Sequence, residues 1–192
     1  MTQVQLFFTI YQTIYDDLSI PVDCEPDDVV AQYGNMVYRL AFAKMQNRHD
    51  AEDIFQEVFL RYVRRAPQFS NREHEKAWFL RTTINCCKNF WSSAWRRKTT
   101  ALSELQEIPM EYDNEDAQLL AEALAKLASK YRVVLHLYYY EGLTAEEIGK
   151  VQGIPAGTVR MQLSRGRNLL KGLLIQDEAE LFVEGGGEYD RL

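Results

Sequence analysis

The chain has 192 residues, enough for one domain or two small ones at roughly 100–200 residues per domain. A hydrophobic fraction of 46% excludes a disordered protein, and 10 glycines beside 11 tyrosines favour helices over a turn-rich β fold. The net charge of −6 at pH 7 argues against a protein that grips nucleic acid along its whole surface. The three cysteines, Cys24, Cys86 and Cys87, fit neither a disulfide framework nor a zinc site, which predicts reduced thiols and no metal.

Residues 1–28 form a predicted N-terminal extension with six acidic and no basic side chains. It lacks the basic flank and continuous apolar run of a signal peptide, and nothing approaches the ~20 apolar residues of a membrane span. We therefore expect a cytoplasmic protein without membrane insertion. The apolar side chains of the extension either form a docking helix or cover the first domain: Phe7, Phe8, Ile10, Tyr11, Ile14 and Tyr15.

Residues 29–99 form a predicted first helical domain. Apolar residues recur at helical spacing from Val29 to Leu40, after an N-cap at Asp27 or Asp28, and again along a helix that follows Asp50 and ends before Pro67. The polar stretch 66–75 predicts a loop, and a third helix is expected from residue 76 to about 93, running into the basic end 95–98. Residues 31–100 carry 13 basic and 6 acidic side chains, so a basic block follows the acidic extension.

Residues 100–116, with Pro109 and six acidic side chains, predict a flexible linker between two domains. Helices are then expected over 119–127 and 131–140, the second closed by Gly142. The second domain is predicted over 117–175, where 121–175 carry 8 basic and 4 acidic side chains, and an acidic tail over 176–192. The predicted fold is all-α: two small helical domains joined by a flexible linker, the second containing a helix-turn-helix.

The helix-turn-helix lies at residues 144–171. Thr144 and Glu147 form a capping box, Gly153 marks a tight turn, and Pro155 suits the first turn of the next helix, which is expected to end near Leu174. In that helix Val159, Leu163 and Leu170 share one face, which would pack on Ile148, Val151 and Ile154. Small residues at its start would allow a close approach to the DNA major groove, and a basic side chain there can read guanine. We predict DNA contacts from Pro155, Ala156, Thr158, Arg160, Met161, Ser164, Arg165, Arg167 and Lys171. The alternative is a helical hairpin with a solvated basic face.

Two stretches resemble one known family. The run YRVVLHLYYYEGLTAEEIGKVQGIPAGTVRMQLSRGRNLLK, within roughly residues 117–174, resembles the C-terminal domain of extracytoplasmic function (ECF, group IV) sigma factors of the sigma-70 family. The runs DAEDIFQEVFLRYVRR and AWFLRTTINCCKNFWSSAWRRK resemble the N-terminal helical domain of the same family. Together the matches cover about 130 of the 192 residues. The resemblance implies a subunit that gives RNA polymerase its promoter specificity.

The resemblance also implies a dock for polymerase on the second helix. Asp50, Asp53, Gln56 and Glu57 match the polar face that binds the clamp helices of the largest subunit. Without the resemblance, these side chains would be a solvated helix face.

Promoter melting is implied for the third helix and the loop before it. Trp78, Arg81 and Asn85 match the helix that reads the −10 element, and the loop 69–74 matches the one that captures a flipped base. Trp78 is favoured as a core anchor over a base contact, whereas Trp91 and Trp95 beside the basic end are candidates for a surface role. The predicted −10 contacts are Phe69, Ser70, Asn71, Arg81, Asn85, Lys88, Asn89, Trp95, Arg96 and Arg97.

Three positions depart from the family pattern. Asn89 replaces an Asp, Cys86 and Cys87 replace small apolar residues, and Gly166 replaces an Ala, which should cost the helix ~1 kcal/mol.

The partners expected from the resemblance are core RNA polymerase, promoter DNA and an anti-sigma factor. The polymerase contacts would include the flap of the second-largest subunit, and the −35 element would be read by the helix-turn-helix. A polymerase-independent helix-turn-helix regulator is the first alternative. An enzyme is the second, but His49, His74 and His136 are isolated and no nucleophile–base pair or phosphate loop is present, so no catalytic residue and no cofactor are predicted.

Overall fold

The computed structural model describes residues 28–65, 67–97 and 115–185, with side chains over 29–65, 67–90 and 118–175. The predicted docking helix of the extension, residues 98–114 of the linker region and the last seven residues lie outside this part of the chain. Within it, the regular elements are helices and no strand occurs, so the all-α prediction is confirmed. None of the helices among these residues is long and apolar enough to cross a membrane.

The first domain contains α1 (Asp28–Met45), α2 (Arg48–Arg65) and α3 (Arg72–Arg97). An asparagine caps each of the last two: Asn47 Oδ1 accepts from the Asp50 backbone N–H at 3.0 Å, and Asn71 Oδ1 accepts from that of His74 at 2.8 Å. The prediction of a loop over 66–75 is therefore wrong in its second half. Because Asn71 satisfies the first free N–H groups, α3 begins at Arg72.

Aromatic rings fill the core between the three helices. Phe79 is fully buried, and Tyr33 stacks on it at 4.6 Å between centroids. Trp78 is half-buried and meets the rings of Phe69, Tyr62 and Phe79 edge-on. The prediction of Trp78 as a core anchor agrees with this packing.

The second domain contains α4 (Glu115–Lys126), α5 (Ser129–Leu135), a π-helical segment (His136–Tyr140), α6 (Ala145–Gln152) and α7 (Ala156–Gly185). Two predicted helix ends differ from the structure. The first helix of this domain, expected from residue 119, begins at Glu115, and α7, expected to end near Leu174, continues through Gly185.

Gly166 lies where α7 crosses α5. It is buried, and a Cβ atom there would lie 3.3 Å from Tyr131 Cβ and 3.4 Å from Leu135 Cδ1. The sequence indicated only a local cost in helix propensity, whereas the missing side chain lets the two helices approach closely.

The two domains also pack against each other, which the sequence did not predict. Helix α1 contacts α5 and the π-helical segment, α3 contacts α6, and the buried apolar residues of both domains form one connected cluster. Arg132 of α5 is buried and donates to the Ala43 carbonyl of α1 as well as to carbonyls at the end of α4. A linker is therefore not the sole connection between the two halves.

Candidate nucleic-acid interface

The first helix of the motif, α6, begins at the predicted capping box. The Glu147 backbone N–H donates to Thr144 Oγ1 at 3.3 Å, and Glu147 Oε2 accepts from the Thr144 backbone N–H at 2.8 Å. The hydrogen bonds from the Thr144 backbone and side chain lower the pKa of Glu147. The capping box predicted from the sequence is therefore present and anionic, which suits a helix N-terminus.

The turn between α6 and α7 depends on two glycines. Gly153 has a φ of +73°, in the left-handed region, and its N–H donates to the Gly149 carbonyl at 2.9 Å. Gly149 itself is buried, and a Cβ atom there would lie 2.7 Å from the Ile154 carbonyl oxygen. The predicted turn at Gly153 is confirmed, while the requirement at Gly149 was not recognised in the sequence because its backbone is ordinary helix.

Helix α7 has one buried and one exposed face, as its sequence predicts. Val159, Leu163 and Leu170 are buried, together with Ile148 and Val151 of α6. The predicted DNA-facing side chains are exposed or half-buried: Pro155, Ala156, Thr158, Arg160, Met161, Ser164, Arg165, Arg167 and Lys171. The geometry brings these nine residues onto the outer side of the second domain.

Two arginines of that face have different partners. Arg160 forms an ion pair with Glu146 of α6, and both side chains are more than half exposed. Arg167 turns back toward its own helix, donating from Nε to the Leu163 carbonyl at 3.2 Å while its guanidinium lies 5.9 Å from the Tyr138 ring centroid. The role of Glu146 was missed in the sequence, since it lies 14 residues before Arg160 and only the fold brings the two together.

Helix α3 presents a second polar face. Arg81, Asn85 and Lys88, spaced by four and three residues, are exposed along it, and Asn89 is exposed beside them. Arg81 Nη2 donates to the Lys150 carbonyl, and Lys88 Nζ donates to that of Gln152, both at 3.2 Å. Two of the predicted −10 contacts therefore bind the C-terminal end of α6 in this structure. In this helix the structure describes side chains up to residue 90, so it does not describe those of Trp91, Trp95, Arg96 and Arg97.

The loop before α3 uses its predicted DNA contacts for internal packing. Phe69 is half-buried and meets the rings of His74 and Trp78 edge-on at 5.7 and 5.9 Å. Asn71 caps α3, and Ser70 Oγ lies 3.4 Å from His74 Nδ1. Each of these three residues therefore already has a structural role in the free chain.

The predicted polymerase-binding residues lie on the outer side of α2. Asp53 and Gln56 are exposed, whereas Asp50 is half-buried and Glu57 pairs with Arg61 at 2.6 Å. Beyond Gln56, the same side exposes two apolar residues, Leu60 (47%) and Val63 (70%). Leu60 follows Gln56 by four residues and Val63 by seven, a helical spacing that places all three on one side of α2, and the sequence prediction did not include the two apolar residues.

Comparisons with known proteins agree with both domains. Residues 29–97 match the family model for sigma-70 region 2, and residues 117–170 match that for sigma-70 region 4. The ECF RNA polymerase sigma factor SigE of Mycolicibacterium smegmatis is 35% identical over 163 residues, which are 80% of this chain and 63% of that relative. The RNA polymerase sigma-E factor of Streptomyces coelicolor is 30% identical over 129 residues, covering 66% of this chain and 72% of that relative.

The fold is shared with a solved sigma-factor structure. The sigma factor RpoE of Bartonella quintana, crystallised with the anti-sigma factor NepR, superposes with a TM-score of 0.62 at 21% identity. The match covers 77% of this chain and 94% of that one.

A two-domain helical fold with a basic helix-turn-helix face defines a DNA-binding protein of the transcription machinery. The chain belongs to the sigma-70 family of RNA polymerase sigma factors, and its relatives identify it as an ECF sigma factor.

Proposed function

We propose that this chain binds core RNA polymerase and directs it to promoters by recognising a −10 and a −35 element, as a group IV member of its family. The observation that carries the proposal is the helix-turn-helix. A capping box at Thr144 and a left-handed turn at Gly153 fix α7 on α6, and α7 then exposes Arg160, Ser164 and Arg165 on one side. A helix held in this way fits the major groove with a planar guanidinium available for a guanine edge.

The polymerase dock would lie on α2. Asp53 and Gln56 are exposed, and neither shares the side of α2 that the buried Ile54 and Val58 occupy. Exposed acidic groups provide the charge complementarity that a basic partner surface needs, and such groups steer association. The largest-subunit clamp helices are the proposed partner of this surface, and the flap of the second-largest subunit is the proposed partner of the second domain.

The −10 element would meet the polar face of α3. Arg81 and Lys88 supply charge for the phosphates, and Asn85 between them offers a base-reading amide. Trp91 and Trp95, further along the same helix, would stack on unpaired bases.

An anti-sigma factor is proposed as a further partner. Its support is the fold shared with the sigma factor that was crystallised with NepR. We also propose that the protein works in the cytoplasm, where its polymerase is. The domain bounds predicted above remain part of this proposal, with the extension 1–28, the linker 100–116 and the tail 176–192 given no separate activity.

Run-off transcription with purified core polymerase and a library of promoters tests the function. We expect transcripts only when this chain is added, from promoters that share two elements. Arg160→Ala should change which −35 sequences are used, whereas Lys130→Ala, at an exposed residue of α5 outside the predicted DNA contacts, should not. A chain that bound specific DNA but neither co-purified with core polymerase nor started transcription would be a polymerase-independent regulator instead.

A further inference from the structure

Tyr138 lies beside the outer face of α7, which carries the predicted −35 contacts, but it belongs to the π-helical segment. Its side chain is 39% exposed, although its neighbours Leu137 and Tyr139 are buried. The ring meets that of Tyr139 edge-on, with 5.0 Å between the centroids, so a buried residue supports it. The Tyr138 ring is thus held in place on the surface without being part of the core.

A close helix crossing brings Tyr138 within reach of α7. Gly166 is buried where α7 crosses α5, and a Cβ atom there would lie 3.3 Å from Tyr131 Cβ and 3.4 Å from Leu135 Cδ1. Tyr131, Leu135 and Tyr138 are spaced by four and three residues, which places them along one side of the helix. Tyr138 is therefore the next residue on the side that faces α7, and Arg167 is the residue that follows Gly166.

Two contacts restrain the Arg167 guanidinium. Its Cζ atom lies 5.9 Å from the Tyr138 ring centroid, within the range of a cation–π contact, and its Nε donates to the Leu163 carbonyl at 3.2 Å. The side chain is exposed, and neither Nη atom has a hydrogen-bond partner in the part of the chain that the structure describes. The two terminal nitrogens therefore remain available to a ligand while the rest of the side chain is restrained.

The groups that restrain Arg167 leave its positive charge uncompensated. A carbonyl oxygen and an aromatic ring carry no net charge, whereas Arg160 on the same face pairs with the Glu146 carboxylate. A charged guanidinium with two free terminal nitrogens suits bidentate binding of a phosphate. A side chain that is restrained beforehand also loses less conformational entropy when it binds. Arg167 thus has the properties of a preformed phosphate contact.

We propose that Tyr138 is a positioning residue for promoter binding, whose ring holds the Arg167 guanidinium ready for a phosphate of the −35 DNA. Because the ring contacts no base in this role, Tyr138 affects the affinity for every promoter alike and leaves the choice of sequence unchanged. The inference rests on the proposed function for the identity of the DNA, whereas the contact between Tyr138 and Arg167 is a property of the free chain.

NMR relaxation of the arginine Nε–H groups in the full-length chain tests the contact itself. The Arg167 signal is assigned by its loss in Arg167→Lys, and it should show restricted motion in the wild type and in Tyr138→Phe, which keeps the ring. Tyr138→Leu removes the ring, so the same signal should show the fast motion of an unrestrained side chain. Equal mobility of the Arg167 signal in the wild type and in Tyr138→Leu would overturn the positioning role.

Binding of the chain with core polymerase to promoter duplexes, titrated over a range of salt concentrations, tests the role in DNA binding. Arg167→Ala should weaken binding to all promoters alike and lower the salt dependence by about one phosphate contact. Tyr138→Leu should weaken binding roughly two- to fivefold, the effect expected of a cation–π contact at an exposed site, with base preferences unchanged. Tyr138→Phe should bind like the wild type.

The double variant Tyr138→Leu, Arg167→Ala separates positioning from a general structural effect. If the ring acts through Arg167, removing it should have no further effect on binding once Arg167 is absent. A Tyr138→Leu effect of the same size in both backgrounds would overturn the proposal, whatever the substitution does to stability. Binding by Tyr138→Phe that is as weak as that of Tyr138→Leu would also contradict it, because the hydroxyl group and not the ring would then be responsible.

A chain that neither bound polymerase nor recognised promoters would refute the proposed function, and with it the role of Tyr138 in DNA binding. The relaxation of the Arg167 Nε–H group in the free chain would still decide whether Tyr138 restrains this side chain. Failure of the proposed function and failure of the positioning contact therefore give different results.

Discussion

Arg160 and Arg167 lie on the same helix but are held differently, and this difference predicts different mutant behaviour. Arg160 projects from the outer face of α7 and pairs with Glu146, whereas Arg167 is drawn back over Tyr138. We expect Arg160→Ala to relax specificity at one base pair of the −35 element at a cost of about 1–3 kcal/mol. Arg167→Ala should weaken all promoters alike. Binding of the polymerase complex to a promoter library, read by sequencing, measures both profiles.

Glu146→Gln separates positioning from base contact. If Glu146 orients the Arg160 guanidinium, its loss should weaken discrimination at the same base pair, but by less than Arg160→Ala does. Identical profiles for Arg160→Ala and Arg167→Ala would contradict the assignment of the groove-facing side.

His136 makes stability depend on pH. It is fully buried and stacked on Tyr140, with Nε2 3.9 Å from Glu141 Oε1. Burial, and next the cations Arg39 and Lys76 of the first domain, lower its pKa from 6.5 to about 3. Below pH 6.5, His136 is therefore protonated in the unfolded chain but still neutral in the native chain. The free energy of unfolding consequently falls as the pH drops from about 6.5 toward 3.

The measurement is urea unfolding at pH 7.5 and pH 5. Between these two pH values, the free energy of unfolding of the wild type should fall by about 2 kcal/mol more than that of His136→Phe. The phenylalanine keeps a ring against Tyr140 but cannot be protonated. Equal losses in the two proteins would show that other groups cause the pH dependence.

At the scale of the helical elements, the turn of the motif predicts an unequal response to two glycine substitutions. Gly149→Ala would drive a methyl group against the Ile154 carbonyl, 2.7 Å away, and should destabilise the fold by about 1–3 kcal/mol. Gly172→Ala on the exposed side of α7 meets nothing within 4 Å and should stabilise by about 0.5–1 kcal/mol. Chemical denaturation measures the free energy of unfolding of both variants. An unchanged value for Gly149→Ala would contradict the close approach of Gly149 to the Ile154 carbonyl.

Helix α2 carries the prediction for polymerase docking. Asp53→Lys with Glu57→Lys should abolish binding to core polymerase, because like charges across an interface cost several kcal/mol. The free energy of unfolding should change little. Glu57→Lys also breaks the ion pair with Arg61, but that pair contributes only about 0.3–0.5 kcal/mol. Co-sedimentation with core polymerase and circular dichroism measure the two effects.

Glu73→Lys is the control for a general effect of charge reversal on polymerase binding, since it reverses an exposed acid on α3 instead of α2. Retained polymerase binding by a folded Asp53→Lys, Glu57→Lys chain would exclude this side of α2 as the dock.

Most of the helices could be predicted because residues close together in the sequence determine where they begin and which face is buried. Thr144 with Glu147 specifies the start of α6, and the spacing of Val159, Leu163 and Leu170 specifies the buried face of α7. The start of α3 was missed because a polar stretch resembles a loop unless Asn71 is recognised as a cap. The π-helical segment was also missed, since no residue pattern distinguishes His136–Tyr140 from the end of an ordinary helix.

For the molecule as a whole, weak binding to free DNA is expected for two reasons. The net charge of −6 opposes a non-specific grip on phosphates, and Arg81 and Lys88 of the proposed −10 face already donate hydrogen bonds to α6. Gel-shift titration of isolated promoter duplex at physiological salt should therefore show weak binding that core polymerase greatly strengthens. Tight, sequence-specific binding by the free chain would contradict both reasons.

The packing of the domains was beyond sequence reasoning for a physical reason. Arg132 is one of many basic residues in the printed sequence, and nothing near it indicates that its guanidinium will be buried against a carbonyl 89 residues earlier. Patterns with the period of a helix reveal which face is buried but not whether a neighbour in the same domain or in another covers it. The partners of Arg81 and Lys88, two of the predicted −10 contacts, could not be predicted for the same reason, because they are backbone atoms of α6 in the other domain.

The contact between Arg132 and Ala43 also has a consequence for synthesis on the ribosome. The acceptor is made 89 residues before the donor, so at ~5–20 residues per second it waits roughly 4–18 s for its partner. During that interval the nascent first half exposes an apolar side that α5 later covers. Newly made chains are therefore most vulnerable to aggregation, and most in need of a chaperone, between the emergence of α1 and that of α5.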